Sequence, residues 1–79
     1  MKWIAEYTDT FGGEANYAWC RRKVFEMPEK ASDLLVVRKA KELLGLTGVR
    51  CKRDDLCGTD TIALKPVGSN TILFITPIV

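Results

Sequence analysis

Four side chains at two-residue spacing, Tyr17, Trp19, Arg21 and Lys23, form the pattern in this sequence that most invites a chemical reading. In an extended strand alternate residues share a face, so these four make a strip that passes from aromatic to basic. Such a strip can stack bases and meet phosphates. It can equally form a protein hot spot, since Trp, Tyr and Arg are the residue types enriched there. A third reading buries Tyr17 and Trp19 under another element and leaves the two cations at the rim. Arg50 and Lys52 repeat the two-residue spacing later in the chain, with Lys65 beyond them. They extend the basic strip if their strands are neighbours, and otherwise belong to a solvated outer sheet face.

Catalytic chemistry finds little to work with. The chain has no histidine, the commonest general base. Its three cysteines, Cys20, Cys51 and Cys57, include no CxxC pair and fall short of the four ligands of a structural zinc site. Cys20 precedes Arg21 and Arg22, but neighbouring strand residues point to opposite faces, so these cations do not depress its thiol pKa in the obvious way. Cys20 and Cys51 sit in apolar-alternating segments and read as small hydrophobes. Asp54-Asp55 reads as a solvated loop pair, and Gly12-Gly13 lacks the lysine and helix of a phosphate loop. The expectation is a non-enzymatic chain with no cofactor and no metal.

Composition bounds the rest. Seventy-nine residues, 47% hydrophobic and 28% charged, suit one globular domain spanning 1–79. The longest apolar run, Ile72 to Ile75, is too short to cross a bilayer, which argues against a membrane partner. The N-terminal run Met1-Lys2-Trp3-Ile4-Ala5-Glu6 meets charge before an apolar signal region develops, and the odd cysteine count fits a reducing cytoplasm. A net charge of +2 permits a nucleic-acid partner without requiring one.

Positioning these residues takes six elements. Residues 2–8 and 16–26 are rich in aromatic and β-branched types and read as strands joined at Gly12-Gly13. A turn there pairs residues whose positions sum to 25, placing Trp3 opposite Arg22, Ala5 opposite Cys20 and Tyr7 opposite Ala18. Trp3, Ala5, Tyr7, Phe11, Ala18, Cys20 and Val24 then share the core face. The tip displays Phe11, Glu14 and Asn16, where recognition residues often lie. Ser32 reads as a helix N-cap with Asp33 in the first turn, or else Pro28 is the first helical residue and the helix starts a turn earlier, and Gly45 fits the C-terminal cap. Between them Val36, Ala40, Leu43 and Leu44, joined by Leu34, Leu35 and Val37, make a broad apolar stripe. Thr47–Arg53 alternates as a strand with Val49 and Cys51 on one face, and 54–60 reads as a polar loop. Thr61–Lys65 and Thr71–Thr76 follow, the last apolar on both faces and hence central. The order ββαβββ predicts an α+β fold with one helix on a mostly antiparallel sheet.

The stretch Tyr7-Thr8-Asp9-Thr10-Phe11-Gly12-Gly13-Glu14-Ala15-Asn16-Tyr17-Ala18-Trp19, followed by Arg21-Arg22, resembles a family of small uncharacterised phage and prophage proteins. Gly45 to Cys51 and Leu73 to Thr76 fit the same likeness, which therefore spans most of the chain. The family brings no agreed activity or site residues. The ββα start, small size and Gly-Ser-Asn turn before a final apolar strand are also similar to some anti-CRISPR proteins. These resemblances imply a phage-encoded protein in the host cytoplasm that binds and inhibits a host protein, a CRISPR-Cas component in particular. Phe11, Glu14, Tyr17, Trp19, Arg21, Lys23, Arg50 and Lys52 are the residues expected to meet a partner. The alternatives are a nucleic-acid binder using Arg21, Lys23, Arg50 and Lys52 with Trp19, and an oligomeric accessory protein held by strand pairing.

Overall fold

The computed structural model describes residues 1–12, 14–55 and 60–78. Among them the chain forms β1 (Lys2–Phe11), β2 (Glu14–Glu26), α1 (Asp33–Leu43), β3 (Cys51–Asp55), β4 (Ile62–Pro66) and β5 (Thr71–Ile78). Every strand pairing is antiparallel, and the sheet order is β2-β1-β5-β4-β3. This is the expected ββαβββ α+β fold. The first and last strands of the chain meet near the middle of the sheet, Lys2 opposite Ile78.

Helix α1 begins at the Ser32 cap, not at Pro28, and ends ahead of Gly45. The Ser32 hydroxyl accepts the Leu35 backbone N–H at 3.4 Å, and Asp33 lies at the positive end of the helix dipole. At the other end Leu46 N–H donates to the Lys41 carbonyl and Gly45 N–H to the Glu42 carbonyl. That pair of bonds is a Schellman motif, and it requires the left-handed conformation that Gly45 adopts at φ 73°. The helix buries Val36, Ala40 and Leu44, with Val37 and Leu43 beside them, against Trp3, Ala5, Phe25, Ile62, Leu64, Leu73 and Ile75. Leu34 and Leu35 belong to the apolar stripe in sequence but remain exposed. The buried stripe is thus narrower than the apolar one.

β5 is central, as its two-sided apolarity predicts. Leu73 and Ile75 face the helix, while Ile72 and Phe74 face the opposite side with Ile4, Thr8, Cys20 and Val24. Ile72 is buried and Ile4 and Phe74 are half-buried on that second face, whereas Val24 is 61% exposed.

The β1–β2 register differs from the one expected. Near the tip the pairing does follow positions summing to 25, Thr10 with Ala15 and Phe11 with Glu14. Beyond Asp9 it follows 28, as in Trp3 with Phe25 and Ala5 with Lys23. An odd shift of three exchanges the faces of β2. Phe25, not Cys20 or Val24, therefore joins Trp3 and Ala5 in the core, and Phe11 lies outside it at 80% exposure. The third strand also moves: β3 starts at Cys51 instead of Thr47, and Asp54-Asp55 continue its backbone instead of forming a loop. Val49 N–H donates to the Leu46 carbonyl in a turn that occupies the predicted start of the strand.

Candidate functional site

The register shift has one cause, a wide bulge in which Asp9 of β1 stands opposite Asn16, Tyr17, Ala18 and Trp19 of β2. Four residues facing one lose their ladder partners, and their polar groups need others. Asp9 and Thr8 each supply one, and Asp9 also ties down the Asn16 side chain. Its Oδ2 accepts the Asn16 side-chain Nδ2–H and its Oδ1 accepts the Ala18 backbone N–H, both at 2.9 Å. The hydroxyl of Thr8, a fully buried residue, donates to the Trp19 carbonyl at 2.7 Å. The Asn16 amide does most to hold the Asp9 carboxyl below its ordinary pKa, the Ala18 N–H adds to it, and partial desolvation opposes both.

Within this clamp Tyr17 takes a φ of 56°, a left-handed conformation that costs a side-chain-bearing residue about 1–2 kcal/mol. No other residue apart from glycine adopts positive φ among those described. Tyr17 is itself exposed, so burial of its ring in the core does not offset the strain. The clamp does.

Trp19 is braced differently. Its ring meets Tyr7 edge to face, with centroids 5.2 Å apart and planes at 67°, a favoured aromatic geometry. Tyr7 is anchored in turn, its hydroxyl donating to Thr71 Oγ1 at 3.0 Å on the central strand. Trp19 nevertheless keeps 41% of its surface exposed. Arg21 and Lys23 follow on the same, helix-side face of β2 and are exposed. Arg22 points the other way, where its Nε donates to Glu6 Oε2 at 2.9 Å and Glu6 is the largest cause of the raised Arg22 pKa.

The structure thus brings Trp19, Arg21 and Lys23 together as the sequence predicts, and Phe11 and Glu14 lie paired beside them at the tip. Tyr17 departs from the strip, because its positive φ breaks the strand alternation. Arg50 and Lys52 do not extend it. Arg50 immediately precedes β3 and Lys52 lies within it, at the far edge of the sheet, four inter-strand steps or roughly 19 Å from β2. There Lys52 stands opposite Lys65. Cys20 and Cys51 are likewise on opposite edges, and Cys57 lies outside the described residues. Sequence reasoning missed Asp9, Thr8 and Tyr7, which hold the bulge in shape. Nothing periodic marks them; the only local hint is an aspartate and an asparagine flanking a glycine turn.

At the opposite end of the molecule a depression of about 340 Å³ lies among Trp3, Asp33, Arg53, Ile62 and Pro77, with an Arg53–Asp33 ion pair of 3.4 Å on its wall. It shares no residue with the bulge.

Comparison with protein-family models, with curated proteins and with solved structures yields no match.

Proposed function

We propose that this domain is a protein-binding module that presents a preorganised aromatic bulge and hairpin tip to a protein partner, without catalysing a reaction. The observation that carries this reading is the left-handed Tyr17, held in an exposed loop of strand by the Asp9 clamp. Strain kept at a surface position is what recognition sites accumulate, because a preset side chain loses less entropy on binding. Trp19 braced by Tyr7, with Arg21 beside it and Phe11 at the tip, supplies the aromatic and cationic anchors typical of interface hot spots.

The test is capture from host lysate with the wild-type domain, Tyr17→Gly and Trp19→Ala side by side. A stoichiometric partner held by the wild type and lost by both variants supports the reading. A partner retained equally by all three sinks it. The finer reading, a phage-encoded inhibitor of a CRISPR-Cas complex, draws on the sequence resemblance alone. Undiminished target cleavage by such a complex at saturating domain would dispose of it.

The nucleic-acid reading is less well supported by the geometry, because Arg21 and Lys23 are separated from Arg50 and Lys52 by the width of the sheet. Oligonucleotide affinity that falls steeply with log salt would restore it.

A further inference from the structure

The outer edge of β2 has a definite hydrogen-bonding parity. Met1 and Met27 exchange two bonds, Met1 N–H to the Met27 carbonyl and Met27 N–H to the Met1 carbonyl, both at 3.0 Å. In an antiparallel ladder such pairs alternate with non-bonded ones. Trp3–Phe25 and Ala5–Lys23 are therefore also bonded pairs, and Arg22, Val24 and Glu26 turn their N–H and C=O groups away from β1. No described residue pairs with that edge, since β2 ends the sheet.

An unpaired edge of this kind is a template for another strand. For a second copy of the same edge, two-fold symmetry and parity together restrict the choices. Outward-turned residues must oppose outward-turned residues, so the axis passes through a residue, not between two. On Arg21, Arg22 or Lys23 the axis sets like charges directly opposite each other, and on Glu26 it sets two carboxylates together. On Phe25 it opposes Val24 to Glu26. On Val24 alone it produces complementary pairs: Val24 against its own copy, and Arg22 against Glu26 twice. Val24, 61% exposed and on the same face as half-buried Ile4, gains cover there that the monomer does not give it.

We infer that this edge pairs with a second copy of the chain about a two-fold axis at Val24, joining two sheets into one of ten strands with both helices on the same side. Arg22 then bridges Glu6 of its own chain and the partner copy's acidic residue equivalent to Glu26. The paired segment is short, Arg22 to Glu26, so the interface falls in the small, weak class and the dimer is concentration-dependent. Phe11, Tyr17, Trp19 and Arg21 lie outside that segment and Lys23 lies within it, so the dimer neither requires the partner reading nor covers the anchors on which that reading rests.

Sedimentation equilibrium from micromolar to millimolar concentration tests the inference. The expected result is a weight-average mass that rises towards twice the monomer value. Val24→Lys and Val24→Glu, each folded by circular dichroism, stay monomeric alone because like charges meet on the axis. Mixed in equal amounts they recover the dimer, because lysine now opposes glutamate. A wild type that stays monomeric at millimolar concentration overturns the inference. So does Val24→Lys dimerising like wild type, or a mixture that does not associate. A monomeric wild type whose β2 amides are protected on adding an acidic peptide also overturns it, assigning the edge to a different chain.

Discussion

Asp9 accepts the backbone N–H of Ala18 at 2.9 Å, across a gap in the ladder where one residue of β1 faces four of β2. That single carboxylate satisfies a donor the sheet has abandoned and, through Asn16, fixes the other end of the same bulge. Asp9→Ala is expected to lower the melting temperature and to broaden the amide resonances of Asn16 to Trp19 while leaving those of Phe25 unchanged. Asp9→Asn keeps an acceptor for Ala18 but sets its own amide against that of Asn16, and is expected to fall between the two.

The same clamp has a pH signature. The folded-state pKa of Asp9 is depressed below 3.8, so its contribution is present above that value and is lost as pH falls through the folded value. Wild type is therefore expected to lose more stability than Asp9→Asn between neutral pH and acid, with the difference appearing only below about pH 4. Parallel loss in the two proteins would remove the linkage.

Tyr17→Gly separates strain from recognition. Relief of a left-handed tyrosine is worth about 1 kcal/mol or more, and the added freedom of an unfolded glycine costs about 0.5–1 kcal/mol. Chemical denaturation is expected to find stability unchanged within about 0.5 kcal/mol, or slightly raised, while partner capture is lost.

Thr8→Val tests the buried bond. Valine fills the space but leaves the Trp19 carbonyl without its 2.7 Å donor, at a cost of about 1–3 kcal/mol. A loss below about 0.5 kcal/mol would mean that water takes the hydroxyl's place.

The two tryptophans report on opposite environments. With Trp3 buried at 9% exposure and Trp19 at 41%, iodide is expected to quench Trp3→Phe strongly and Trp19→Phe weakly.

Most of the architecture can be read from the chain, and the reason is local. Ser32 and Gly45 bracket a helix by chemistry that needs no tertiary information, and the two-sided apolarity of Ile72 to Ile75 demands a central strand wherever the others go. The hairpin register is a different matter. The Gly12 turn sets the pairing of Thr10 and Phe11, but the bulge that resets it depends on a carboxylate reaching an amide nine positions later. No periodicity encodes that reach. For the same reason the strip of Trp19, Arg21 and Lys23 was legible, whereas the departure of Tyr17 from it was not. The separation of Arg50 and Lys52 from the strip follows from sheet order, which is set by long-range pairing of β1 with β5.

That pairing has a consequence for folding. The sheet consists of a hairpin, β1–β2, and a meander, β3–β4–β5, and the ladder from Lys2–Ile78 to Asp9–Thr71 alone joins them. Its contacts span almost the whole chain, so forming them carries the largest loop-closure entropy of any pairing in the sheet. Until β5 has emerged from a ribosome, β1 and β4 both lack their central neighbour. The nascent chain therefore holds two incomplete edges at once, and one strand, β5, has to satisfy both.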